Sequence, residues 1–329
     1  MDSLIEDMCA RYVHNSLVIT RNVESQDLLR KLGISTELGT DTAWTFEPHP
    51  PEYARKTLRE SGWDEKTPIL VLCPIHPFVW PVKASVGKYI ARVATGAYKD
   101  SQYRTVYFFQ SGDEVDKKYR HYISSFGKAV AAFRQRHNVF PILVAMERLD
   151  AQACRSMLEF LPGTPVFTSD DYDMFQLVSI LRACSYMVSS RYHGIVTCMP
   201  SLVASAGVTM DERIRNLMRE RGHEHLFLTV DDADLEPKLL QVMEALVREA
   251  DSVREGIGQT VVRNLKLMAR MGTILEDTVR HTYPQFPLRS GVLSWEDYLP
   301  PLSKTLRELA GHYDTSTMAQ HSVAGSAAR

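Results

Sequence analysis

Arginine, tyrosine and histidine stand side by side in the run SSRYHG, residues 189–194. These residue types suit the handling of a small anion. A guanidinium grips a carboxylate or phosphate through two parallel hydrogen bonds. An imidazole, with an ordinary pKa of about 6.5, gives or takes a proton near neutrality. Arg191 is therefore read as an anion ligand with Ser189, Ser190 and Tyr192 beside it, and His193 as a general acid/base. The plainer alternative has Arg191 in a structural salt bridge and His193 as a capping histidine.

Further candidates surround this run. Arg213 lies one turn into a helix that Asp211 is expected to N-cap, either facing a ligand or paired with Glu212 or Glu220. Arg21 and Gln110 each end an apolar run and are counted as substrate-binding, with a salt bridge from Arg21 to Glu24 and helix capping by Asp113 as the structural alternatives. His76 and Trp80 sit in the proline-stiffened loop CPIHPFVWP, read as a packed plug or as a sugar-stacking surface. His223 and His225 lack a third ligand, so no metal site is assigned. No cofactor is called for.

Positioning such residues is the task of the elements around them. Short β-rich runs recur at 16–20, 68–73, 105–109, 140–146, 165–167, 186–190, 201–205 and 226–230, separated by stretches of helical spacing. Strands alternating with helices predict βαβ units and a mainly parallel, doubly wound α/β sheet of Rossmann-like type. Such sheets bind ligands at the carboxyl ends of their strands. Arg191, Tyr192 and His193 emerge at the end of run 186–190, where the N-terminus of the next helix adds its dipole. Three prolines (Pro48, Pro50, Pro51) mark a boundary, so 1–47 is a partial α/β piece, 48–67 a linker and helix, and 68–232 the Rossmann-like domain. Helical stretches at 235–255 and 257–281 fill the C-terminal region 233–313. Residues 314–329, rich in Ser, Ala and Thr, read as a disordered tail.

Composition narrows the function. The 329 residues are 44% hydrophobic and 24% charged, an ordinary globular balance. Lys and Arg total 38 against 40 acids, a net charge of −2, which argues against a nucleic-acid binder. Five scattered cysteines without a CxxC pair argue against a disulfide framework and are read mostly as small buried hydrophobes. The acidic N-terminus does not read as a signal peptide, and no run of about 18 apolar residues occurs. The expected location is cytoplasmic, with peripheral contact at the inner face of the membrane left open. A basic face on the last long helix (Arg263, Lys266, Arg270, Arg280) is read as solvated surface or as a contact for an anionic lipid-linked acceptor.

The segment SSRYHG, preceded by RACSY, resembles the (S/G)xRxH segment of the polysaccharide pyruvyl transferase family. GVTMDERIRNLMRERG is similar to that family's GxxxDxKxxxLxxxxG pattern, with Arg213 in place of Lys. RNVESQDLLRKLG followed by DTAWTF resembles RDxxSxxxLxxLG…DPAF. There Arg21, Ser25, Gly33, Asp41 and Ala43 match, while Asn22 and Thr42 depart. FFQSGDE looks like the family's strand-end Gln followed by Asp. These blocks run in the family's order over about residues 16–230. The resemblance implies a two-domain architecture like the GT-B glycosyltransferases. It also implies transfer of a pyruvyl group from phosphoenolpyruvate to two hydroxyls of a sugar or glycan acceptor, lipid-linked ones included. The Gly/Asn/Asp-rich turn that opens the family's first domain has no counterpart, so 1–47 is expected to be a remnant of that domain, packed under the C-terminal helices. Two other readings stay open: a nucleotide-sugar-dependent glycosyltransferase using Asp211 or Glu212, and a non-catalytic binding subunit.

Overall fold

A computed structural model describes residues 3–13, 15–96, 105–289 and 291–314. Among them the strands are β1 (Ile19–Thr20), β2 (Glu37–Leu38), β3 (Ile69–Cys73), β4 (Lys83–Ala84), β5 (Tyr107–Phe108), β6 (Phe140–Ala145), β7 (Val166–Thr168), β8 (Tyr186–Ser189), β9 (Ala204–Val208) and β10 (Phe227–Leu228). The helices are α1 (Ser3–Tyr12), α2 (Val23–Lys31), α3 (Pro51–Glu60), α4 (Val86–Ala94), α5 (Asp113–Arg136), α6 (Asp150–Met157), α7 (Met174–Arg182), α8 (Tyr192–Val196), α9 (Glu212–Glu220), α10 (Leu235–Arg248) and α11 (Ala250–Thr282). Their contacts divide the chain into two compact units. One comprises residues 1–47, 196–202 and 254–329; the other comprises 48–195 and 203–253.

The larger unit is built on six parallel strands in the order β10-β9-β8-β3-β6-β7. The chain enters in the middle at β3, winds out through β6 to β7, then crosses back to β8 and winds the other way. This is the doubly wound α/β order, with its reversal between β3 and β8. All five residues of β3 are buried, as the unbroken apolar run ILVLC requires of a strand covered on both faces. Leu70 and Leu72 point to one face, where Tyr122, Phe126 and Phe133 of α5 and Leu235, Leu239 and Met243 of α10 meet them. In β9, small residues let α9 approach closely: a Cβ at Gly207 would run into Ile214.

Two sequence expectations need correction. Run 105–109 does not join the sheet; β5 pairs antiparallel with β4 in a separate two-stranded ribbon. Its companion strand carries Lys83, and both β4 residues are exposed, which fits a surface ribbon and not a buried parallel strand. The strand expected at 201–205 starts three residues later, because Met199–Ser201 coils into a 3-10 turn ended by Leu202 with φ of 55°.

In the smaller unit β1 and β2 pair in parallel, and Arg270 of α11 reaches Glu37 at 3.2 Å. Trp44 is buried and donates its indole N–H to Thr40 at 2.9 Å, while Thr40 bonds Asn264. The basic face expected on α11 is occupied within this unit: Lys266 pairs with Asp314, Arg270 with Glu37 and Arg280 with Glu276. Apart from Asp314, the tail expected at 314–329 lies outside the described residues.

Candidate functional site at the switch point of the sheet

β8 ends exactly where the sheet reverses, so its last residues lie beside the end of β3. Ser189 is sealed, with 0% exposure. Its Oγ accepts the Arg191 N–H and donates to the Arg191 carbonyl, each at 2.9 Å, and so bends the chain out of the strand. Ser190 is 3% exposed and donates to the Val208 carbonyl. That leaves the Tyr122 hydroxyl as donor to Ser190 Oγ at 2.8 Å, while the Ile75 backbone bonds the Tyr122 phenol in turn. A relay thus ties the ends of β3, β8 and β9 to α5. Burial pushes the Tyr122 phenol far above its usual range. Both serines tie the turn together internally, and neither hydroxyl faces outward to a ligand.

Arg191 projects from this turn onto Asp150, the first residue of α6 beyond β6. Nε reaches Asp150 Oδ2 at 2.8 Å and Nη2 reaches Oδ1 at 2.6 Å, a bidentate fork. Glu147 Oε2 lies 2.9 Å from the same Nη2. The Asp150 side chain is 1% exposed and that of Arg191 26%. Burial raises the Asp150 carboxyl, and the Arg191 fork works against that rise. The two carboxylates hold the guanidinium charged despite its own partial burial. Arg191 Nη1 is left without a hydrogen-bond partner among the described residues.

His193 follows on α8 and is exposed. Its ring meets Tyr192 edge-on at 5.3 Å, and the Arg213 guanidinium lies over the Tyr192 ring, 5.0 Å from its centroid. Arg213 is itself forked onto Asp211, with Nε 2.9 Å from both carboxylate oxygens, and Asp211 caps α9 through the Arg213 N–H. The carboxylate that grips Arg213 is thus Asp211, the residue expected as the cap of α9. α8 has only five residues, so the helix dipole expected beside His193 is small.

The structure therefore gathers Arg191, Tyr192, His193 and Arg213 at one edge of the sheet. The other candidates have partners of their own. Gln110 lies just beyond β5 and donates its side-chain amide to the Pro81 carbonyl at 3.0 Å. Arg21 belongs to the smaller unit and pairs with Asp41 at 3.0 Å and not with Glu24, so two residues of one sequence block are each other's partners. His76 stacks flat on Tyr119, 3.9 Å between centroids and 2° between planes, and burial lowers its pKa. Trp80 stays 54% exposed. His223 bonds the Arg221 carbonyl and His225 pairs with Glu249, and no metal-binding cluster occurs among the described residues. Asp150, Glu147 and Tyr122 escaped sequence reasoning. The first two follow run 140–146 in MERLD, so the strand-end rule that found Arg191 also pointed to them.

A family model described as polysaccharide pyruvyl transferase matches residues 2–201, which takes in β1 through β8, Asp150 and the run from Ser189 to Gly194. Arg213 lies beyond the matched segment. No curated protein matches the chain. No helix among the described residues is long and apolar enough to cross a membrane. With more than half of its length matched, and with Arg191, Tyr192 and His193 inside the matched segment, the chain belongs to the polysaccharide pyruvyl transferase family.

Proposed function

We propose that this protein transfers the pyruvyl group of phosphoenolpyruvate to two hydroxyls of a sugar in a glycan or lipid-linked saccharide, forming a cyclic ketal. An enol carbon becomes electrophilic when its CH₂ is protonated, so the reaction needs an acid at C3 and cations for the carboxylate and the leaving phosphate. The proton converts CH₂ to methyl, one hydroxyl oxygen bonds C2, the C2–O bond to phosphate breaks, and the second hydroxyl oxygen takes its place. Two hydroxyl protons are released; one replaces the proton spent on C3 and the other leaves with phosphate or solvent.

The observation that carries this reading is an exposed imidazole, His193, at the reversal of the sheet beside a guanidinium held rigid by a buried carboxylate. His193 supplies the proton at C3. Arg191 offers Nη1 to the donor anion, its other nitrogens being committed to Asp150 and Glu147. Arg213, forked onto Asp211 and lying over the Tyr192 ring, is the second cation for the donor. Ser189 and Ser190 act by shaping the turn.

The test is phosphate release from phosphoenolpyruvate in the presence of sugar acceptors. His193→Ala should abolish turnover at unchanged thermal stability, since the ring is exposed, and Arg191→Ala should mainly raise KM for phosphoenolpyruvate. An active His193→Ala enzyme removes the acid assignment. Saturation by a UDP- or GDP-sugar in place of phosphoenolpyruvate would return the chain to the glycosyltransferase reading.

A further inference from the structure

After β3 the chain leaves the sheet and builds a small module, β4–α4–β5, whose apolar groups are turned outward. Trp80, Tyr107 and Phe109 are 54%, 57% and 41% exposed, and Trp80 meets Phe109 edge-on at 5.4 Å. None of the residues of α4 is buried. Between α4 and β5 lies a groove of about 710 Å³, lined by Val82, Lys88, Arg92, Tyr107, Phe109 and Gln110 among others. Its size and its mainly apolar wall, with three aromatic rings and several polar groups, are those of a ligand site.

Charge gives the groove a direction. Lys88 and Arg92, four residues apart, share the face of α4 that lines it. Neither is paired with a carboxylate among the described residues: Lys88 Nζ reaches Ser111 Oγ at 3.4 Å and the Arg92 guanidinium lies 5.0 Å over the Phe108 ring. Like charges at this spacing repel, so the arrangement favours an anion between them. Exposed aromatic rings offer flat apolar surface with polar edges, the counterpart of the C–H faces of a pyranose. Gln110 spends its amide on Pro81 and keeps its carbonyl oxygen for an incoming hydroxyl.

We propose that this groove is a second saccharide site, which holds an anionic stretch of the acceptor glycan apart from the switch-point cluster. That the saccharide is the acceptor rests on the pyruvyl transferase reading; the preference for an anionic saccharide does not. The experiment is a binding titration of the full chain with a uronate-bearing tetrasaccharide, with maltotetraose as neutral counterpart, and with inorganic phosphate. The acidic tetrasaccharide should bind more tightly than maltotetraose and weaken with salt. Lys88→Ala/Arg92→Ala should weaken it at least tenfold, about 1.4 kcal/mol, and flatten the salt dependence. Tyr107→Ala should weaken both tetrasaccharides and leave the salt dependence in place. Equal binding of the two tetrasaccharides, binding of neither, or full competition by phosphate alone overturns the proposal. So does self-association that Tyr107→Ala abolishes, since the groove would then seat a second copy. Because no phosphoenolpyruvate enters the titration, its outcome is read separately from that of the transferase assay.

Discussion

Asp150 is the residue on which the switch-point geometry turns, and Asp150→Asn tests it with little change of volume. The carboxylate receives Nε and Nη2 of Arg191 at 2.8 and 2.6 Å, and its second oxygen also accepts the Glu147 N–H at 3.2 Å. An asparagine keeps one acceptor and turns an N–H₂ toward a guanidinium N–H, so the fork loses one bond and its charge. Breaking a buried ion pair by removing one partner costs about 3–5 kcal/mol. Here the Arg191 side chain is 26% exposed and Glu147 stands 2.9 Å away as a second acceptor, so the guanidinium is partly rehydrated and repaired. About 2–3 kcal/mol is the expected loss, read as a lower urea midpoint at unchanged slope. With its anchor gone Arg191 swings, so KM for phosphoenolpyruvate should rise more than kcat falls. A variant with wild-type midpoint and wild-type KM would refute the claim that Asp150 holds Arg191 in place; a lost midpoint with intact KM would leave Asp150 a structural role alone.

Three other residues give expected outcomes of the same kind. Tyr122→Phe removes a fully buried hydroxyl that the Ile75 backbone and Ser190 share, and should cost about 1–3 kcal/mol in denaturant unfolding. Gly207→Ala drives a Cβ into Ile214, and the melting temperature should drop by an amount equivalent to about 1–3 kcal/mol of overpacking. Burial depresses the pKa of His76, so the unfolded chain binds its proton first; stability is complete above about pH 6.5 and is lost as pH falls from there through the lower folded-state pKa. Melting curves of wild type and His76→Gln should therefore converge on acidification, and a difference constant with pH would contradict the assignment.

The alternation of apolar runs with helical spacing was enough to predict a doubly wound parallel sheet, because a strand buried on both faces must be apolar throughout, as ILVLC at 69–73 is. The same reasoning failed for YFF at 107–109, an equally apolar run that the fold leaves on an exposed antiparallel ribbon. Period and propensity describe a strand but not its neighbour. At the site, residue type and strand-end position sufficed to single out Arg191 and His193. They could not tell that Ser189 and Ser190 turn inward, nor that Arg191 is forked by a carboxylate 41 residues earlier in the chain. Strand order settled that: only when β6 lies beside β3, and β8 on its other side, does Asp150 reach Arg191 and Tyr122 reach Ser190. Local chemistry is written in the order of residues, whereas partnership across a sheet depends on which strands the long-range packing makes adjacent, and that is a property of the folded chain alone.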